Sequence, residues 1–395
     1  MLNTRSGWYN NNLLDWRYAV SLFDAFDDSI KYNDHYTADA LRELLNDGWE
    51  IILPRADGQH FVYLEAVRER ELRIIDTWDG QRKVWLPESA RGIRAAHVRE
   101  QPAPPPLPTP PPGEPISFHA QANEPGLIEY IRDVKPRGFK TVNDLELLRR
   151  AKEVSPDTET VWRKWVPNQG QFYQGNISEG VARFFNAMYD ELAYYGDVID
   201  YIEGLNEEIG TGCRDKNLKV YAFEKELCEL LAEYGHRYCG PNIAVGNPGH
   251  DEVEDMIPLV RSICENNGRV SYHAYWPTTE TESWLLSDLE HYAGRWIEWL
   301  KVFAEHDLYP RVALTEGGPI SGENPPTFLN AGMGWRHPGC LNGNWQRHEE
   351  QLCTIREILL EFDVFLCLFT VGRGMNWDWF EYHESQIDRL RELYG

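Results

Sequence analysis

The sequence has no apolar run approaching the roughly 20 residues that a membrane span needs. Its first twenty residues, MLNTRSGWYNNNLLDWRYAV, lack the basic start and apolar stretch of a secretion signal. A chain that stays out of membranes is therefore expected, either cytoplasmic or released and virion-associated. Positive charge is also scarce, with 39 Lys and Arg against 63 Asp and Glu and a formal net charge of −24. Phosphate neutralisation needs basic patches, so nucleic acid is excluded as a partner, and anionic membranes are disfavoured. Cysteine is sparse and badly spaced for chemistry. The seven are odd in number, none falls in a CxxC pair, and none precedes Cys213. That spacing suits neither a disulfide framework nor a thiolate zinc site, so reduced, inert thiols are expected. Neither a metal nor a cofactor is implied. Aromatic residues, by contrast, are abundant. Fifteen Trp and 20 Tyr exceed what a core requires, and such faces suit stacking on the apolar faces of sugar rings.

Proline is concentrated in one place, QPAPPPLPTPPPGEP at 101–115. Proline at this density forbids helix and sheet interior and makes a semi-rigid spacer, which divides the chain into two domains. Residues 1–100 read as a small α+β domain. TADALRELLNDGWE carries an apolar helical face through Ala40, Leu41, Leu44 and Leu45, followed by the strand-like EIILPR, HFVYLEAV, ELRIIDTWDG and KVWLP. Over 116–395 strand-like and helix-like runs alternate. The strands are 116–122, 138–143, 160–166, 198–207, 242–248, 269–276, 311–318 and 364–372, each followed by a helical run such as 179–196. Eight such pairs in this length indicate an α/β fold of the (β/α)8 (TIM) barrel type. An open doubly wound sheet is the alternative, but no glycine-rich phosphate loop follows the first strand.

In a barrel of this kind reactive groups sit at the C-terminal strand ends. The fourth strand ends in Asn206-Glu207, the sixth carries His273 and Tyr275 on one face, and the seventh ends in Glu316-Gly317-Gly318. The eighth leads into GRGMNWDWF, which includes Trp377. Two glutamates across a barrel mouth are the pair that retaining glycosidases need, one to protonate the leaving oxygen and one to attack the anomeric carbon, about 5–5.5 Å apart. Glu207 also reads as a first-turn helix acid, Glu316 as part of a glycine turn, and His273 as a core histidine.

The runs LNE at 205–207, HAY at 273–275 and LTEGG at 314–318 resemble the clan A glycoside hydrolases, and the likeness covers about residues 116–395. The resemblance implies that Glu207 is the acid/base and Glu316 the nucleophile. It also implies that Asn206 holds the substrate's 2-hydroxyl, that Tyr275 bonds the nucleophile, and that His273 lines the site. Trp377 would be the floor under the sugar at the cleavage point. Many clan members carry an arginine at the end of the second strand that keeps the nucleophile ionised. Here that strand offers Lys140, and Arg163 lies on the third. Trp165, Trp276, Trp335 and Trp345 flank strand ends and are candidates for further sugar subsites, Trp276 and Trp335 foremost. The long segment after the seventh strand, 319–345, exceeds a plain connection and reads as a lid or subsite wall. The implied activity is retaining hydrolysis of a β-linked glycan or glycoside, with an oligo- or polysaccharide as partner. The alternative is a carbohydrate-binding or adhesion protein on a barrel that has lost turnover.

GQHFVYLEAVRERELRIIDTWDG in the first domain resembles the second half of a papain-like, bacteriocin-processing peptidase, with His60 oriented by Asp76. Such a dyad needs a cysteine nucleophile early in its domain. Because the first cysteine is Cys213, this domain is expected to be non-catalytic, kept for packing or for a protein partner.

Overall fold

The computed structural model describes residues 112–395, apart from residues 284, 287, 288, 290, 322–332 and 373–376, and of residues 1–111 it describes only the strand backbone. The chain divides into two units, Met1–Pro106 and Leu107–Gly395. In the first, Lys31–Asn33, Ile93–His97, Trp49–Pro54, Phe61–Arg68, Glu71–Asp76 and Arg82–Trp85 lie in that order in one antiparallel sheet. The helix expected near Ala40 and the side chains of His60 and Asp76 lie outside the described residues.

The second unit is a (β/α)8 barrel. Its strands are β1 (Ile116–Ala120), β2 (Gly138–Val142), β3 (Glu159–Arg163), β4 (Tyr201–Glu203), β5 (Arg237–Ile243), β6 (Arg269–Thr278), β7 (Arg311–Ser321) and β8 (Leu366–Val371). All pair in parallel, and β8 returns to β1 to close the ring. Around them lie α1 (Leu127–Val134), α2 (Leu145–Val154), α3 (Ile177–Asn186), α4 (Tyr189–Tyr195), α5 (Arg214–Glu233), α6 (Ile257–Glu265), α7 (Arg295–Glu305), α8 (Trp345–Leu360) and α9 (Glu384–Tyr394). None of these helices is long and apolar enough to cross a membrane.

Strand periodicity builds two cores at once. Outward residues such as Phe118, Phe139, Trp162, Ile202 and Leu314 join the apolar faces of the helices. Inward residues Val161, Tyr201, Cys239, Ala313, Phe365 and Cys367 fill the barrel axis. Short polar side chains start the helices close to the strand ends. Asp144 accepts from the Leu147 N–H at 3.1 Å, Asn176 from Glu179 and Asn344 from Arg347, each satisfying a donor that the first turn leaves free. Charge closes the N-terminal end. Buried Arg269 meets Glu159 at 2.5 Å and Asp363 at 3.1 Å, and Arg311 meets both carboxylates at 2.8 Å.

Three elements differ from the sequence reading. The fifth strand runs Arg237–Ile243, not 242–248, because the polar His236-Arg237 start hides buried Tyr238 and Cys239 from a hydrophobicity count. The helical run 179–196 is two helices, since the Met188 N–H turns to the Phe185 carbonyl at 2.9 Å and tightens the chain between α3 and α4. The fourth strand is only Tyr201–Glu203, and the backbone leaves the sheet at Gly204. A side chain there would meet Glu224 Oε2 at 1.9 Å and would have to displace that carboxylate from the Leu205 N–H and the Tyr238 hydroxyl.

Candidate active site

Glu316 owes its aim to one extra residue in β7. Ala313 faces the barrel axis and Leu314 the helices, so strict alternation would turn Glu316 outward. The register shows why it does not. Tyr272 of β6 pairs with Leu314, yet the next residue, His273, pairs with Glu316, and the β8 side slips in the same way between Leu314 and Gly317. Thr315 is the surplus residue, and its hydroxyl stays inside, 2.8 Å from that of Ser271. The bulge resets the parity of the strand, so Glu316 faces inward too.

There it meets five groups, one of them His273, whose Nδ1 lies 3.6 Å from Oε2. Lys140 Nζ donates to Oε1 at 3.1 Å, Arg163 Nη1 to the same oxygen at 2.9 Å, and the Tyr275 hydroxyl to Oε2 at 3.2 Å. His119 Nδ1 lies 3.4 Å from Oε1. Burial alone would raise the carboxyl's pKa, but His273, Lys140 and Arg163 together hold it well below the usual range. A depressed pKa means that this charge contributes folding stability above the ordinary glutamate range, and that the contribution is lost as pH falls through the depressed value. Burial, followed by the charge of Lys140, lowers His119 well below the usual histidine value, so that ring is neutral near pH 7. Beneath Glu316, Lys140 also meets Glu203 Oε2 at 2.8 Å, and neither Lys140 nor Glu203 has any exposed surface. Arg163 lies 4.0 Å from the same Glu203 oxygen. Two cations thus face two carboxylates, the balance that makes buried charge tolerable.

Glu207 stands beyond the end of β4 with its backbone in the left-handed region at φ 55°. For a residue with a Cβ this conformation costs roughly 1–2 kcal/mol, so neighbouring contacts must hold it. Its side chain is 32% exposed and shares a 2.6 Å hydrogen bond with His273 Nδ1. One His273 nitrogen and one oxygen from each of Glu207 and Glu316 lie within 4.8 Å of one another. The same spacing could ligate a cation, but Lys140 and Arg163, fixed on Glu316 Oε1, would repel one.

A buried and a half-exposed carboxylate therefore share the barrel mouth. Solved structures with a similar fold exist. They include a calcium-binding mutant of Bacteroides uniformis beta-glucuronidase 2 (12% identity, TM-score 0.42, 82% of this chain and 42% of that one). A GH5-4 broad specificity endoglucanase from an uncultured bacterium is 11% identical with a TM-score of 0.44, covering 71% of this chain and 94% of that one. The catalytic domain of a mannanase from Streptomyces sp. SirexAA-E is 14% identical with a TM-score of 0.37, covering 77% of this chain and 81% of that one. This chain spans less than half the length of the beta-glucuronidase. No protein-family profile matches the sequence, and comparison with curated proteins found no match.

The structure gathers Glu207, Glu316, Asn206, His273, Tyr275, Arg163 and Lys140 into one cluster. Asn206 Oδ1 accepts from Arg163 Nη1, and its backbone N–H donates to Gln169 Oε1 at 2.6 Å. Trp377 is half-buried, one ring away. Its centroid is 5.1 Å from Phe369, which in turn lies 6.4 Å from Tyr275 and 5.0 Å from His119. Two tryptophans expected at the site are elsewhere. Trp276 follows Tyr275 on the strand and so faces the helix layer, fully buried, with its indole N–H on Gln351 of α8 at 2.7 Å. Trp335 is 2% exposed, packed beside His348 and Tyr382, and donates to the Phe380 carbonyl at 3.2 Å. Neither offers a face to a ligand. Trp165, two residues beyond Arg163, is 61% exposed.

Several participants escaped the sequence reading. His119 and Glu203 are the polar residues of otherwise apolar strands, ISFHA and YIE, and that anomaly was their signal. Gln169 and Asn242 sit in irregular backbone and gave none.

Proposed function

We propose that the barrel is a retaining glycoside hydrolase acting on a β-linked glycan or glycoside. The observation that carries this reading is the approach of Glu207 and Glu316 oxygens to within 4.8 Å at the mouth, with two cations on Glu316. Such an approach is compatible with the separation of about 5–5.5 Å used for double displacement, and inversion works with carboxylates about 6.5–9.5 Å apart.

Glu316 attacks the anomeric carbon while Glu207 gives its proton to the leaving oxygen, so the C–O bond breaks as the ester forms. Glu207, now a carboxylate, takes a proton from water, whose oxygen attacks the same carbon and frees Glu316. Lys140 and Arg163 keep the nucleophile ionised before attack, and Tyr275 orients its second oxygen. Asn206, tied to Arg163, is placed for the neighbouring hydroxyl of the sugar, and Trp377 provides an aromatic face. His273 links the two carboxylates, through a hydrogen bond to Glu207 and at 3.6 Å from Glu316 Oε2. Residues 1–100 form a separate non-catalytic module in this reading, available for a protein partner.

The test is a panel of aryl β-glycosides and β-glycans, with the first-formed sugar anomer followed by proton NMR. Hydrolysis releasing the β-anomer first is expected. Release of the α-anomer, or binding without hydrolysis between about pH 4 and 8, would overturn the reading. The charge pair adds a second expectation. Lys140→Met removes one cation from Glu316, so the acid limb of the kcat/KM profile moves to higher pH, by roughly one unit or more for the loss of an adjacent opposite charge. An acid limb unmoved in that variant would remove Lys140 from the role.

A further inference from the structure

We propose that Asn242 is a positioning residue that holds Glu207 in its left-handed conformation at the barrel mouth. The inference rests on the glycosidase reading, in which Glu207 must deliver a proton to one defined oxygen.

Asn242 occupies a second bulge. Gly240 pairs with Val270 of β6, but Ile243 pairs with Tyr272, so β5 spends one residue more than its neighbour over this stretch. Asn242 is itself left-handed, at φ 53°, and has no exposed surface. From this position it makes two bonds to the β4 loop. Its side-chain Nδ2 donates to the Leu205 carbonyl at 2.9 Å, and its own carbonyl accepts the Glu207 N–H at 3.0 Å. These contacts lie on either side of Asn206, so one residue grips the tripeptide that carries both the acid and its neighbour. The His273 bond restrains only the tip of the Glu207 side chain, whereas Asn242 restrains its backbone.

The residue type fits this task narrowly. Left-handed backbone is accessible to glycine and, among residues with side chains, chiefly to asparagine and aspartate. Glycine would supply the conformation without the amide donor, and aspartate would turn an oxygen toward the Leu205 carbonyl. Among the described residues Asn242 Oδ1 is buried with no hydrogen-bond partner, so the Nδ2 bond to Leu205 is what the side chain contributes. A buried amide with one end unmet is costly to retain unless its other end is needed.

The variant Asn242→Gly separates these contributions, because glycine permits the same backbone shape while the amide donor is lost with the rest of the side chain. The probes are matched phenyl and 2,4-dinitrophenyl β-glycosides of glucose, mannose, xylose and galactose. Phenolate needs a proton to leave and dinitrophenolate does not, so a fault in acid delivery shows on the first alone. Asn242→Gly is expected to lower kcat/KM, which reports the first step alone, on the phenyl glycoside by roughly 10–100-fold, the scale of a small misplacement of a reacting group, and to leave kcat/KM on the dinitrophenyl substrate almost unaffected. Asn242→Asp is expected to show the same pattern. Parallel losses on both substrates would mean a merely structural role, and an unchanged phenyl rate would mean none; either overturns the proposal. If the wild type hydrolyses no probe, the glycosidase reading fails separately, and a crystal structure of Asn242→Gly still decides the point. Leu205–Glu207 in their wild-type path would overturn it, and Glu207 outside the left-handed region would support it.

Discussion

Glu316→Gln lowers kcat by roughly 10⁴–10⁶-fold, the scale seen when a member of a covalent catalytic unit is removed. The amide is nearly the same size but has no charge and no nucleophilic oxygen pair. It also has one acceptor where the carboxylate offers two oxygens to Lys140, Arg163 and Tyr275. The loss should therefore come with altered stability, and circular dichroism must show the fold intact before the rate is interpreted. A second variant keeps the assignment testable. Glu316→Ala opens a space beside Lys140 and Arg163 that azide can enter, and attack from that side gives the α-glycosyl azide from a β-substrate. Activity of Glu316→Gln within tenfold of wild type would sink the assignment.

Glu207→Gln lowers kcat/KM by an amount that depends on the substrate, roughly 10²–10⁴-fold for poor leaving groups, as expected for removal of a general acid, and far less for dinitrophenyl glycosides. With a good leaving group the first step survives and the glycosyl-enzyme accumulates, because no base activates water. A pre-steady-state burst of dinitrophenolate reports this directly. Azide added to Glu207→Ala attacks the glycosyl-enzyme from the vacated side and gives the β-glycosyl azide. The two alanine variants should thus yield opposite anomers. The same azide anomer from both would mean that the roles are misassigned.

The barrel itself was legible because eight alternations of strand and helix patterns leave few other architectures. The cluster was legible as far as strand ends could be read. Asn206-Glu207 just beyond β4, and His273, Tyr275 and Glu316 in the later parts of β6 and β7, all follow from finding those strands. What could not be read was orientation near irregular backbone. Trp276 looked like a ligand platform because it sits beside Tyr275, but one residue along a strand is the opposite face. Trp335 depends on a segment whose path no periodicity determines. Lys140 and Arg163 were rival candidates for one task in the sequence, and the structure places both on the same oxygen of Glu316. Glu203 went unnoticed because an acid in a short apolar strand looks like an error of register until a buried lysine is found opposite it.

The surplus residue in β7 bears on how this barrel can change over generations. Ala313 and Leu314 can be exchanged for residues of similar bulk with effects confined to packing. Loss of the Thr315 codon is a different kind of event. Losing that residue would restore plain alternation with Glu316 still opposite His273 and still turned inward toward Lys140 and Arg163. The bulge can therefore absorb the loss of a residue that, in a regular stretch of strand, would turn every later side chain to the other face.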